Sequence, residues 1–443
     1  MHIMTCFRKY LKNPLSVGDK DRILLAVSGG RDSMLMAHLF LDAGYNCVIM
    51  HCNFGLRGPD SDLDEQLVAD FAKARGVSYV TEHFQTKQYA TEHCLSIQMA
   101  ARELRYNWFE QKRQELQADW IAVAQHRNDH IETAFLNLCR GTGLVGLQGI
   151  LPQRGHIIRP LLFVGTQEIT SEVNRLGIPF RDDQSNFSTK YLRNKLRLDI
   201  LPKFKELTPE FESIMVENMD RFHQSAQLLE YFVKPIRQTL FQGDGNVYTI
   251  NKEALRAYIN NTPLMYELFR EFDFAPEVLK DLQVNFNGIA GKVFQSRKYE
   301  LLLDREYLRM RPRQTELSES SVIYLNENTD QVSFSGERFF VTTGDDLRIL
   351  PDKLIAKIDY DLLIFPLQIR LWQLGDVFYP LGMTGKKKVS DFFVQQKLDL
   401  FQKKRVPILV NGNGDIIWIA KYRLDNRYRI TERTRKVYII ESN

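Results

Sequence analysis

Along the first 165 residues, short apolar runs alternate with longer stretches of mixed character. The runs at 22–27 (RILLAV), 46–51 (NCVIMH), 77–84 and 120–124 (WIAVA) are rich in β-formers. Their apolar positions are nearly continuous, which predicts strands buried on both faces, as in a parallel sheet. Between them, 32–43, 61–75 and 98–117 are long enough to be crossover helices. The alternation predicts an α/β fold: an N-terminal doubly wound, Rossmann-like parallel sheet with helices on both faces. Ligands in such sheets bind beyond the carboxyl ends of the strands.

From about Pro209 to Met310 the pattern becomes mostly helical, with breaks near Gly243-Asp244-Gly245 and at Pro276. The polar stretch 313–320 (RQTELSES) predicts a linker. From Ser321 strands return with few helices between them, and 408–411 and 415–420 flank Gly412-Asn413-Gly414 as a hairpin. The expected division is a nucleotide-site domain over 1–208, a mostly helical middle domain over 209–312 and a small α+β domain over 321–443.

Composition narrows this picture. The 443 residues are 44% hydrophobic and 26% charged, ordinary for a globular chain, and the formal charge is only +4. Any contact with nucleic acid must therefore come from locally gathered basic residues. The five cysteines at 6, 47, 52, 94 and 139 form no C-x-x-C pair, which argues against a disulfide framework and fits a reducing cytoplasm. The start carries no long apolar run and no stretch approaches a bilayer-spanning length, so a cytoplasmic protein with no membrane partner is expected.

The strongest chemical signal is Ser28-Gly29-Gly30-Arg31-Asp32-Ser33, after a strand and before a helix. Paired glycines let the backbone turn tightly and approach a ligand. The helix start turns N–H groups and its positive dipole end toward the loop, and Ser28 and Ser33 add hydroxyls. This predicts a site for an anion such as pyrophosphate, with Asp32 placed to hold Mg²⁺. The chain has neither G-x-x-x-x-G-K-[ST] nor G-x-G-x-x-G at this position. The motif S-G-G-x-D-S resembles the PP-loop of ATP pyrophosphatases, which split ATP between its α and β phosphorus atoms.

Other clusters follow the expected strands. His51-Cys52-Asn53-Phe54-Gly55-Leu56-Arg57-Gly58 lies at a carboxyl end, beside the loop. Gln98, Arg102 and Arg105 share one helix face, which suits phosphate contacts as well as plain solvation. In Gln125-His126-Arg127-Asn128-Asp129-His130-Ile131-Glu132, the spacing puts Asp129 and Glu132 on one face at a helix start, where they also complement the dipole. Then come Arg140-Gly141-Thr142-Gly143, Arg159-Pro160-Leu161, Asp182-Asp183-Gln184-Ser185-Asn186 and a basic run of Lys190, Arg193, Lys195, Arg197, Lys203 and Lys205.

These segments, in this order, resemble the N-terminal domain of the tRNA(Ile)-lysidine synthetases. The likeness extends to Arg370-Leu371-Trp372, Pro380-Leu381-Gly382-Met383, Gly385-Lys386-Lys387-Lys388 and Arg423-Leu424-Asp425-Asn426-Arg427 near the end. It covers 22–202 and 368–430 and is weak between. Two departures stand out: Phe54, where the family often has a second histidine, and Asn128, where it often has an acid beside Asp129.

The resemblance implies a ligase that joins lysine to the wobble cytidine of a CAU-anticodon tRNA(Ile), through an adenylated cytidine, with release of pyrophosphate and AMP. It implies ATP and Mg²⁺ as cofactors and tRNA(Ile) and free L-lysine as partners, and leaves a homodimer open. Ser28, Gly29, Gly30, Arg31, Asp32, Ser33 and His51 are expected at ATP, with Asp32 also on the metal. Asp129 and Glu132 are expected at lysine, and with Asp32, Arg105 and Arg193 in catalysis. Arg197, Lys386, Lys387, Lys388 and Arg423 are expected at tRNA. Phe392, Phe393, Trp418, Tyr422 and Tyr428 are interleaved with the terminal basic residues, as stacking groups for RNA or as core. A sulfur-transferring PP-loop enzyme and a non-catalytic nucleotide or RNA binder are the alternatives; the first needs reactive or clustered cysteines.

Overall fold

The computed structural model describes residues 3–181, 192–243, 247–313, 322–348 and 352–442. The Asp182–Asn186 motif, Lys190, the turn at 244–246 and nearly all of the expected linker lie outside them. The chain divides into two units, Met1–Glu230 and Tyr231–Asn443.

In the first unit, α1 (Ile3–Lys12) precedes β1 (Arg22–Ala26), α2 (Arg31–Asp42), β2 (Asn46–Asn53), α3 (Pro59–Ala74) and β3 (Ser78–His83). Then come α4 (Thr86–Glu92), α5 (Ile97–Glu115), β4 (Trp120–Val123), α6 (Arg127–Arg140), α7 (Leu144–Leu147), β5 (Gln153–Arg154) and β6 (Ile157–Ile158). The unit goes on through α8 (Thr166–Leu176), α9 (Leu192–Lys195), a π-helical turn (Leu196–Ile200) and α10 (Leu201–Leu207) into α11 (Phe211–Leu240). Among the described residues the sheet order is β3-β2-β1-β4-β6-β5, parallel except for the β5–β6 hairpin. The chain winds from β1 through β2 to β3, then returns to lay β4 on the other side of β1. The strand order therefore reverses beside β1, which is where this architecture opens a crevice.

The continuous apolar runs are explained by burial on both sides. Ile23 and Leu25 pack with Phe7, Leu35 and Phe40 on one face, and Leu24 packs with Met50, Trp108 and Ile121 on the other. Each such side chain taken out of water contributes about 1.5–3 kcal/mol. The expected strands and crossover helices are all present, within a few residues of their bounds.

In the second unit, β7 (Phe241–Gly243), β8 (Tyr248–Asn251), α12 (Lys252–Arg256), α13 (Thr262–Phe269) and α14 (Pro276–Asn285) lead to β9 (Val293–Gln295), β10 (Tyr299–Leu303) and β11 (Tyr307–Pro312). Helices make up the larger part of the middle stretch, as expected. Its five short strands, in order β7-β8-β11-β10-β9, form a sheet that the periodicity reading leaves out. Among the described residues, the last segment builds three further antiparallel sheets, of five, four and two strands. The expected hairpin is present: Pro407–Val410 pairs with Ile416–Ile419, with a register shift at Leu409/Val410. Among the described residues, no helix is long and apolar enough to cross a membrane.

Candidate active site

β1 ends at the switch point, and the chain leaves it through Val27 into the loop before α2. Gly29 has φ +87°, a left-handed conformation, and a Cβ there would stand 3.4 Å from the Cβ and carbonyl oxygen of Asp64. Gly30 caps α2 and brings no side-chain hydrogen bond to it. The first turn of α2 therefore begins directly at the loop, where helix N–H groups can receive an anion. Ser33 fixes the turn: its Oγ accepts from the Ser28 N–H (3.1 Å) and donates to the Gly30 carbonyl (2.9 Å). The Arg181 N–H donates to the Gly29 carbonyl (3.0 Å), and the Arg181 guanidinium holds Asp64 (2.9 Å) and Asp60 (2.7 Å). Arg57 pairs with the other oxygen of buried Asp64.

Of the remaining residues expected at ATP, Arg31 sends its guanidinium to Thr170 (2.7 Å) and over the Phe180 ring, so its backbone is what it offers the loop. His51 is buried, and its Nδ1 lies 2.9 Å from the Val27 carbonyl. A carbonyl only accepts, so Nδ1 carries the proton. Burial pushes the His51 pKa down and keeps the ring neutral. His51 thereby fastens the strand end that enters the loop.

Across the switch point, His126 caps α6. Its Nδ1 accepts from the Asn128 N–H (3.2 Å), while the Asp129 carboxylate accepts from the His126 N–H (3.1 Å). With Nδ1 an acceptor, the ring proton of a neutral His126 sits on Nε2. That nitrogen lies 3.6 Å from Asp32 and 3.5 Å from Asp129. Burial raises the Asp32 pKa, and Asp129 adds to this; His126, Arg31 and Arg197 oppose it. Two acids that repel each other thus face one buried imidazole.

Asp129 and Glu132 are brought together, and both arginines of 192–200 reach them. Arg193 donates from Nε to Glu132 (2.7 Å) and from Nη2 to Asp129 (2.7 Å). Arg197 donates from Nε (2.6 Å) and Nη2 (2.9 Å) to Glu132, and from Nη2 to Asp129 at 3.2 Å. The four-residue spacing puts both guanidiniums on one side of the turn. Arg197, expected at tRNA, here pairs with these carboxylates, which compensate a fork drawn partly out of water.

The two departures have structural answers. Phe54 stacks on Phe84 (centroids 5.3 Å apart), and the Arg105 guanidinium lies 5.1 Å from the Phe54 centroid. Arg105 thus stands at the end of β2, not with the carboxylates of α6. Asn128 uses both ends of its amide: its oxygen accepts from the Thr166 N–H (2.9 Å), and its nitrogen donates to Glu212 (2.6 Å).

In the second unit, Lys386 and Lys388 are exposed, Lys387 is half-buried against Gln395, and exposed Arg423 donates to the Leu381 carbonyl at 2.7 Å. Phe392, Phe393, Trp418 and Tyr428 are core, which leaves half-buried Tyr422 as the interleaved aromatic with a surface.

The sequence motifs hold His126 and Arg57, and the basic run holds Lys205 with Arg181 just upstream, without marking their roles; Asp64 and Glu212 lie outside both. A polar residue capping the helix after β4 was the available signal for His126. Nothing in the spacing announces the others. Among the described residues, no group of three or more His, Cys, Asp or Glu could hold a metal alone. Mg²⁺ commonly uses one or two carboxylates plus substrate phosphates, which Asp32 beside the loop can satisfy.

The PP-loop domain family matches residues 3–204, the TilS substrate binding domain 242–313 and the TilS substrate C-terminal domain 367–441. A tRNA(Ile)-lysidine synthase of Parabacteroides distasonis is 35% identical over 98% of each chain. One of Bacteroides thetaiotaomicron is 37% identical over 95% of each. One of Porphyromonas gingivalis is 32% identical over 93% of this chain and 91% of its own.

Proposed function

Because the chain belongs to the tRNA(Ile)-lysidine synthase family, an ATP-dependent ligase family that forms lysidine in tRNA, we propose how its own residues divide that reaction. The observation that carries the proposal is the junction at His126, which sets the loop acid Asp32 beside Asp129 and, through it, Glu132.

The N–H groups after Gly30, with Ser28 and Ser33, hold the β and γ phosphoryl groups of ATP. Asp32, together with phosphate oxygens, would hold Mg²⁺, which would supply positive charge against the departing pyrophosphate. The cytidine carbonyl oxygen attacks the α phosphorus and pyrophosphate leaves. An anticodon base is already unpaired, so extruding it is cheap. The amine of free lysine then attacks the activated carbon and AMP leaves. That amine starts as a cation with a pKa near 10.4 and must lose a proton to react. Asp129 and Glu132 form the acidic cradle that attracts it and takes that proton. Arg193 and Arg197, released from them, are placed to meet phosphate charge. Lys386, Lys388 and Arg423 grip tRNA away from the anticodon.

The sulfur-transfer alternative gains nothing from the cysteines. Cys52, at the end of β2, is pushed up to about 12 by burial, the reverse of what a sulfur carrier needs.

The test combines the chain with ATP, Mg²⁺, labelled lysine and unmodified CAU-anticodon tRNA(Ile). Lysine label should enter the RNA and AMP should accumulate, and Asp32→Ala should abolish both. Label entering at the wild-type rate with Asp32→Ala would overturn the loop assignment.

A further inference from the structure

Beside the carboxylate–arginine cluster lies a cavity of about 190 Å³ between α6, α8, α10 and the start of α11. Ile131, Leu201 and Phe211 give it an apolar wall. Apart from Arg197, which pairs with Glu132, its charged groups are graded from inside to outside. Glu132 is fully closed off, Glu212 is 21% exposed and Lys205 is 40% exposed. Glu212 accepts from Asn128 and pairs with Lys205, so the outer end carries one anion and one cation side by side. The steps above use Glu132 and leave Glu212 and Lys205 without a task.

Free lysine has an amine at one end, four methylenes, and an ammonium with a carboxylate at the other. The cavity offers an acid inside, an apolar wall, and a paired acid and base outside. We propose that Lys205 and Glu212 read the α-carboxylate and α-ammonium of the incoming lysine, and so separate an amino acid from a plain amine; this rests on the lysidine reading. The Lys205–Glu212 ion pair is then a stand-in for the substrate, each partner exchanging the other for the matching group. The orientation delivers the side-chain amine to Glu132, the end nearest Asp129 and the loop.

The test measures kcat/KM of the full chain with tRNA(Ile), ATP and three amines: lysine, cadaverine, which lacks the carboxylate, and ε-aminocaproate, which lacks the α-amine. A site built around a charged substrate group rejects an analogue without it by roughly 100-fold or more. The wild-type chain should show that preference for lysine over both analogues. Lys205→Met should lower the preference over cadaverine by at least about 10-fold, and Lys205→Arg should keep it. Glu212→Gln should lower the preference over ε-aminocaproate in the same way, which keeps the proposal open to test if the first variant folds poorly. Preferences undiminished in both variants, or equal losses with all three amines, would overturn the assignment while leaving lysidine formation standing. No incorporation of any amine by the wild-type chain would overturn the lysidine reading and this assignment together.

Discussion

Arg197 donates its Nε to a carboxylate oxygen of Glu132 at 2.6 Å, and the Glu132 side chain has no solvent exposure at all. Removing one partner of such a pair leaves a charge in a place where water cannot reach it. Arg193 remains on Glu132, and Arg197 is itself a third exposed, so the loss falls below that of a fully buried pair. Arg197→Ala should cost about 2 kcal/mol of stability. Adding Glu132→Gln should return part of it, because a neutral amide is cheaper to bury alone. Urea unfolding of the single and double variants checks this; a single variant as stable as wild type would show that the pair contributes nothing.

The same contacts couple the two small substrates. The lysine ammonium and the two guanidiniums compete for the oxygens of Asp129 and Glu132, and triphosphate is the rival anion for the guanidiniums. Lysine should therefore bind more tightly, by about 5-fold or more, when a non-cleavable ATP analogue is present. Calorimetric titration with and without the analogue measures this. Equal affinities would mean that the arginines need not move.

Gly149 follows α7 with φ +66°, and a Cβ there would lie 2.7 Å from His130 Nδ1 and 2.8 Å from the His130 carbonyl oxygen. Both the backbone conformation and the space forbid a side chain. Gly149→Ala should destabilise the first unit by about 2–3 kcal/mol. Thermal unfolding is the measurement, and an unchanged Tm would contradict the close approach of this turn to α6.

His130 itself gives a pH signature. Burial lowers its pKa from 6.5 to about 4, and its Nδ1 accepts from the Ile150 N–H at 2.8 Å. Between those two values the unfolded chain binds the proton and the folded chain does not. Stability therefore rises with pH across that window and falls on acidification through it, by at most about 3 kcal/mol. His130→Gln, which keeps an acceptor for Ile150, should flatten this part of the profile. An unflattened profile in denaturant titrations from pH 4 to 7 would place the acid sensitivity elsewhere.

How much of this was legible depends on whether the signal was local. The parallel sheet could be read because strands such as 22–27 carry apolar residues for two faces at once. Loop and helix start at Ser28–Ser33 were legible because the paired glycines lie directly between a strand and a helix. Asp129 and Glu132 were readable from their spacing. Their partners were not: Arg193 and Arg197 sit some sixty positions away, and a basic run looks the same whether it faces RNA or a buried acid. The middle sheet was missed because strands as short as Phe241–Gly243 and Val293–Gln295 carry no periodicity to detect. The terminal aromatics left two readings open, since a buried ring and a stacking ring have the same side chain.

Asn128 accepts from Thr166 with one end of its amide and donates to Glu212 with the other. A carboxylate in its place would keep the first bond and lose the second, and would confront Glu212 with a like charge. Positions 128 and 212 are therefore not free to vary independently. Asn128→Asp alone should therefore be a handicap, and Glu212→Gln beside it should relieve the like charge. One amide on α6 thus fastens α8 on one side and the start of α11 on the other.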